Sequence, residues 1–437
     1  MNQQRQPAQT LEEAVNTLNF LEPLEFPRDE AFYARRDIDP LGTLRQSLLT
    51  SEAPEKYLLI GQLGCGKSTE LNRLKQDSDL IRKFHIVSFD AKDSLDPYDA
   101  SYSELLFSLP SHLFASLKGM NISLPPELEK KIEAWRQSLD IKEIEETIDL
   151  SGEVSFFGRI TAIFTGVEAR AKSSASIRET VRKKVEPRIS DLLEIFNEAL
   201  SVGETALEKR ALFIIDGLEK YPSATAKRIF KESGDLFARP RCKLLFTFPA
   251  HLSHPKDLQP IKNAFQATDF TISNYPVLNR DTLKPDNGVI NFLINQVVAR
   301  RADLGLFEEK ALRSAALGSS GIITELIRAL RDTCLYTLSK GGRRATIFDV
   351  EHVLANLRNN FKYLTEEEFT VLQRVKNDKR APRDEKHLDL FYSLALVEYD
   401  TERWVYPNYL VLDLLKEKER KAVKKPATKP VKPKKKR

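Results

Sequence analysis

Short runs of consecutive apolar residues alternate along this chain with stretches in which apolar positions recur every three or four residues. YLLI (57–60), FHIVSF (84–89), ALFII (211–215) and KLLFTF (243–248) are runs of the first kind. Lacking polar alternation, they predict strands buried on both faces of a largely parallel sheet. FTISNYPVL (270–278) would supply a last strand. Helical spacing leads into the first run through Leu41, Leu44 and Leu48, and follows it in STELNRLK through Leu71 and Leu74. Strands separated by helices in this way define an α/β core over residues 51–280.

The gap between the second and third strands is long enough for a helical insertion, placed around residues 120–200. It contains the charged stretch ELEKKIEAWRQSLDIKEIEETI (127–148) and the more apolar VSFFGRITAIF (154–164). The latter is too short to span a bilayer and carries Arg159, so it predicts a packed helix. From 286 to about 360 the pattern is helical, as in VINFLINQVVARR and ITELIRALRDTCLYTL. EEEFTVLQRV, HLDLFYSL and ALVEYDTERWVYP then read as helix, helix and β-hairpin with DTER at the turn, closed by the helix YLVLDLLKEK. That is the order of a small winged helix. The expected plan is an N-terminal helical segment (1–50), the core (51–280), a helical lid (281–360), a winged helix (361–419) and a tail (420–437).

A chain of 437 residues exceeds what one hydrophobic core usually spans. With 41% apolar and 30% charged residues it has the balance of a soluble globular protein. No run approaches a membrane span, and the polar start MNQQRQPAQT lacks the apolar centre of a secretion signal, so a cytoplasmic protein without membrane contact is expected. Cys65, Cys242 and Cys334 form none of the short paired spacings of metal or redox motifs. The net charge of +5 is local, because the last 18 residues hold ten Lys or Arg and no acid. A Lys/Pro-rich tail of this kind cannot bury enough apolar surface to order itself. It serves either as an electrostatic grip on DNA or another polyanion, or as a solubilising extension.

The chemistry concentrates at GQLGCGKST (61–69), between the first apolar run and a helical stretch. It fits G-x-x-x-x-G-K-[ST] through Gly61, Gly66, Lys67 and Ser68, the pattern of a phosphate-binding loop. Glycines Gly61, Gly64 and Gly66 let the backbone curl so that amides, including those of Cys65 and Thr69, face an anion at a helix N-terminus. Lys67 reaches the β- and γ-phosphate oxygens and the Ser68 hydroxyl ligates Mg²⁺. A matching acid should end another buried strand. Asp216 does so in ALFIID, placed to hold Mg²⁺ or else to cap a turn, and Glu219 three residues on is the candidate for polarising an attacking water. No Asn-Lys-x-Asp sequence is present, which favours adenine over guanine. ATP with Mg²⁺ is therefore the expected ligand.

The loop continuing as GKSTEL (66–71), the DGLE after the acidic strand, the KLLFTF strand, a helical lid and a winged helix follow in an order that resembles bacterial STAND-class, AAA+-related P-loop ATPases over residues 30–415. The resemblance implies a nucleotide-controlled switch in signalling, defence or regulated assembly; with no effector motif in the sequence, the output is expected from an effector protein on another chain, and whether the chain forms a homo-oligomer stays open. It makes Lys67 and Ser68 the phosphate and Mg²⁺ ligands, Asp216 the metal-holding acid, Glu219 the second acid and Thr247 the polar sensor. Thr247 reads equally as a buried strand hydroxyl bonded to backbone.

Residues 249–269 contain no arginine, so a finger at that place is missing. Arg239, Arg241 or the basic stretch with Arg178, Arg182 and Arg188 are the substitutes, unless that face is merely solvated. Thr324 and Tyr406 stand where related sequences carry arginine and histidine, and Arg328 is one turn beyond Thr324. Slow hydrolysis is the expectation. Two alternatives stay open: a DNA-binding AAA+ regulator of the origin-recognition or transposition type, and a nucleotide-binding scaffold with little turnover.

Overall fold

The computed structural model describes residues 5–36, 39–153, 155–253, 255–380, 389–399 and 404–423. The basic tail beyond 423 and the DTER turn lie outside the described residues. The chain divides into two compact units, one of residues 1–7 and 20–274 and the other of 8–19 and 275–437.

The first unit is built on five parallel strands: β1 (Lys56–Gly61), β2 (Phe84–Asp90), β3 (Arg210–Asp216), β4 (Lys243–Pro249) and β5 (Ala267–Thr271). They lie in the order β2-β3-β4-β1-β5. Every residue of β1 and β4 is buried, whereas edge strand β5 is half exposed along its length. This explains why the central runs were continuous in the sequence and why β5, expected at 270–278, falls earlier, at the mixed sequence ATDFT.

Side chains alternate across the sheet, so each strand feeds two cores. Leu58 and Ile60 join Phe213, Ile215, Phe246 and Phe248 on one face. Tyr57 and Leu59 join Leu212, Ile214 and Leu245 on the other, against Leu41, Leu44, Leu48, Leu71 and Leu74. The first face is covered by the insertion, whose helices include Tyr102–Gly119, Pro126–Ser138, Phe156–Ser173, Ala175–Val185 and Ile189–Leu207. Phe164 is stacked on Phe107 at 5.1 Å and on Trp135 at 5.8 Å, and meets Phe114 edge-on. FFGRITAIF accordingly opens the packed helix Phe156–Ser173, with Ser155 capping it.

The basic segment expected to act at the site or face solvent turns inward instead. Arg178 is 4% exposed and bonds Asp99 at 2.9 Å, while Arg182 bonds Glu104 and the Asp99 carbonyl. Arg228 reaches the same Asp99. Each arginine finds an acid on the segment after β2, 79 residues away for Arg178, 78 for Arg182 and 129 for Arg228, which local charge patterning does not reveal.

In the second unit the helices Glu309–Gly318, Ile323–Ser339 and Ile347–Arg358 pack together, joined by the N-terminal helix Leu11–Thr17, whose Val15 carbonyl accepts from Arg331. A π-helical turn occupies Leu293–Val298. Helices Glu366–Asp378 and Asp389–Tyr392, the antiparallel pair β6 (Leu396–Tyr399) and β7 (Trp404–Pro407), and helix Tyr409–Val423 complete it. Tyr399 donates to the Ser320 carbonyl and the Tyr409 amide to the Ser320 hydroxyl, which ties this ribbon to the turn before the helix Ile323–Ser339. No helix among the described residues is long and apolar enough to cross a membrane.

Candidate functional site

All five strands run the same way, so the loops after β1, β3 and β4 emerge together at the carboxyl end of the sheet, the usual place for a ligand in an open α/β fold. The loop after β1 curls through Gly64 and Gly66, at φ of 80° and 104°, into the helix Lys67–Lys75. Gly61 is needed for a different reason. A Cβ there would come within 2.8 Å of both the Cys65 sulfur and the Ile272 carbonyl.

Lys67 is 3% exposed. Its ammonium donates to the carbonyls of Gly61 (2.9 Å) and Gln62 (2.8 Å) and lies 3.6 Å from Glu219 Oε1. Glu219 sits on the short turn Leu218–Lys220, whose preceding Gly217 has a φ of 84° and no room for a side chain beside Asp90 Oδ1. Asp216 ends β3. Its carboxyl is pushed up by desolvation and by the charge of Glu219, an effect the Ser68 hydroxyl hydrogen bond opposes. The Lys220 ammonium loses hydration, but the carboxylates of Glu219, Asp90 and Asp216 outweigh that and raise it.

The structure thus brings Lys67, Ser68, Asp216 and Glu219 together, although the acids are some 150 residues from the loop. It adds Asp90, in register with Asp216 on the neighbouring strand and 3.6 Å from Lys220. The signal for Asp90 was available, since it too ends an apolar run. What the sequence lacked was the pairing of β2 with β3.

Thr247 is fully buried, and its hydroxyl accepts from the Leu218 amide at 3.1 Å. It therefore anchors the turn that carries Glu219. Thr247→Val should leave that amide buried and unpaired, costing about 1–3 kcal/mol in urea unfolding, and Thr247→Ser should restore most of it. Thr69 points elsewhere than the loop's concave side, its hydroxyl accepting from the Leu24 amide. The Cys65 sulfur is buried 3.9 Å from the Lys67 ammonium.

Arg239 and Arg241 precede β4, at the opposite end of the sheet from the loop, and Arg239 bonds Ser190. Within their own subunit they do not reach the phosphate loop. Thr324, Arg328 and Tyr406 belong to the second unit, where Arg328 pairs with Glu325 and Tyr406 is buried in β7.

The residues fit a nucleotide with a divalent cation. Among the described residues Glu219 Oε2 is buried without a hydrogen-bond donor, Asp216 and Ser68 face one another, and the lysine is held by loop carbonyls and the Glu219 carboxylate. Three carboxylates beside two ammonium groups form a polar cluster that a cation and a polyphosphate would complete.

A five-stranded parallel sheet with a glycine-curled loop opening a helix, and acids ending the strands on one side, defines a P-loop nucleotide-binding α/β fold. No family model matches the chain, and no curated protein does. Among solved structures it is similar to the Orc1 protein of Aeropyrum pernix in complex with DNA, at 12% identity over 94% of this chain and 97% of that one, TM-score 0.39. It is also similar to the Aeropyrum pernix Orc2 protein (10% identity, 93% and 98% covered, TM-score 0.41). A third is the Holliday junction branch migration motor RuvB of Thermotoga maritima (13% identity, 91% and 99% covered, TM-score 0.37). Likeness at this level carries no inference about activity.

Proposed function

We propose that this protein is an ATP-binding and slowly ATP-hydrolysing switch of the AAA+ type. The observation that carries the reading is the meeting of Lys67, Ser68, Asp216 and Glu219 at one end of the sheet. ATP would lie along the curled loop, its phosphates on the amides from Gly64 to Thr69, with Lys67 on the β/γ oxygens and Ser68 and Asp216 holding Mg²⁺. The metal supplies charge neutralisation for the leaving phosphate. Glu219 is placed to accept a proton from the attacking water.

Lys67 and Glu219 neutralise each other across 3.6 Å. Phosphate binding would draw Lys67 away and free Glu219 for its task, a two-state element that nucleotide can bias. Residues 249–269 hold no arginine, and Arg239 and Arg241 lie at the opposite end of the sheet from the loop, which supports slow turnover, in keeping with rates when a catalytic arginine is lacking. Phosphate release from ATP that requires Mg²⁺ tests the reading. Its absence alongside tight nucleotide binding would leave the scaffold alternative standing.

A second reading concerns the partner. The ten basic residues in the last 18 and the helix–ribbon–helix order of the second unit support DNA contact through a winged helix and tail, as in an origin-recognition type of regulator. Affinity for duplex DNA should fall steeply with salt, and removing residues 420–437 should flatten that slope. Salt-independent or absent binding would favour a STAND-like switch acting through an effector protein.

A further inference from the structure

Leu24, Tyr33, Arg36 and Asp39, on a strap that precedes the first strand, contact the helix that opens at Lys67. The Leu24 amide donates to the Thr69 hydroxyl, and the Leu24 carbonyl accepts from the Asn72 side chain. The Tyr33 hydroxyl bonds both oxygens of buried Glu70, at 3.0 and 3.1 Å. Arg73 reaches Asp39 at 2.7 Å. Thr69, Glu70, Asn72 and Arg73, which follow the lysine and serine, are therefore each bonded by this strap.

One strap residue goes further than the helix. Arg36, with its side chain 12% exposed, donates through Nη2 to the carbonyl of Cys65 and through Nη1 to the carbonyl of Ser273 at 2.9 Å, with Glu70 4.0 Å from its Nε. Cys65 lies inside the phosphate loop, while Ser273 lies just past β5.

Because a peptide is planar and trans, its C=O and N–H point opposite ways. A guanidinium holding the Cys65 oxygen from outside therefore aims the Gly66 N–H to the inner side of the loop. A carbonyl that accepts a charge-assisted bond also polarises its own amide into a stronger donor. Glycine-rich loops are free to rotate such a peptide, so an external clamp removes the entropy that an anion would otherwise have to overcome.

We propose that Arg36 is a positioning residue for the phosphate site, presetting the Cys65–Gly66 peptide so that the loop is poised for a nucleoside di- or triphosphate before it arrives. The inference rests on the nucleotide-binding reading above. Arg36 touches no phosphate. It acts through the loop's backbone and through the anchor at Ser273, so it affects binding of ADP and ATP alike.

The test compares full-length wild type, Arg36→Ala and Arg36→Lys by titration with ADP and with ATP in Mg²⁺, together with thermal unfolding without nucleotide and steady-state phosphate release. Arg36→Ala should weaken both nucleotides tenfold or more and raise KM similarly, with kcat within about twofold. Arg36→Lys, which keeps the charge and can hold the Cys65 carbonyl, should recover most of the affinity.

Wild-type affinity in Arg36→Ala overturns the proposal. So does a loss of affinity in Arg36→Ala that Arg36→Lys does not recover, or a fall in kcat as large as the rise in KM. Should Arg36→Ala fail to fold, Arg36→Lys against Arg36→Gln decides: a lysine variant no tighter than the glutamine one also overturns it. A wild-type protein that binds no nucleotide would instead remove the reading beneath it, whatever the variants do.

Discussion

Lys67→Ala is expected to abolish measurable nucleotide binding, lowering affinity by at least a hundredfold. The ammonium would make charge-assisted bonds to two phosphate groups, each worth about 1.5–3 kcal/mol, and a hundredfold loss corresponds to about 2.8 kcal/mol. The same change should also weaken the ligand-free fold. Lys67 is the cation 3.6 Å from Glu219, and both side chains are at most 5% exposed. Removing one member of a buried pair leaves the other without compensation and costs about 3–5 kcal/mol. Denaturant melts measure this, and a variant with unchanged stability and affinity would contradict the geometry.

Glu219→Gln should separate binding from turnover. A general base contributes about 10²–10⁴-fold, so phosphate release should fall by that order. Binding should persist and can tighten, because the Glu219 charge competes with phosphate for Lys67. Its removal also takes away a charge that, after desolvation, raises the Asp216 carboxyl, so Mg²⁺ should bind with less proton release. Single-turnover rates and a magnesium titration in two buffers of different ionisation heat check both statements. A Glu219→Gln variant that hydrolyses ATP as wild type does would move the base elsewhere, with Asp90, in register with Asp216, the next carboxylate to examine.

Both effects rest on groups whose meeting was only partly legible in the sequence. The strands were, because a sheet covered on both faces writes itself as unbroken apolar runs. YLLI, FHIVSF, ALFII and KLLFTF each fall inside an observed strand with one or two residues added at the ends. The edge strand was misplaced because half-exposed ATDFT has no such run. The loop was legible because its backbone demands glycine at set places. Strand order was not, and with it went Asp90 and the separation of β1 from β3 by β4.

Side-chain partners were the least legible. Thr247 was left between a sensor and a backbone-bonded hydroxyl, and the structure shows the hydroxyl on the Leu218 amide. Arg178 and Arg182 looked like a solvated or catalytic face and are instead neutralised by Asp99 and Glu104. Arg36 carries no signal in the sequence, since its hydrogen bonds to Cys65 and Ser273 go to carbonyls, and every residue has one. Periodicity reports which face is buried, while hydrogen bonds over long separations are set by tertiary placement.

The central claim is that this loop takes a nucleoside triphosphate with its metal. Titrating the wild-type chain calorimetrically with ATP, with Mg²⁺ and then with EDTA, addresses it most directly. One saturable site per chain, tighter with the metal, is the predicted outcome. An absence of heat and of competition by ADP up to millimolar concentration would contradict it.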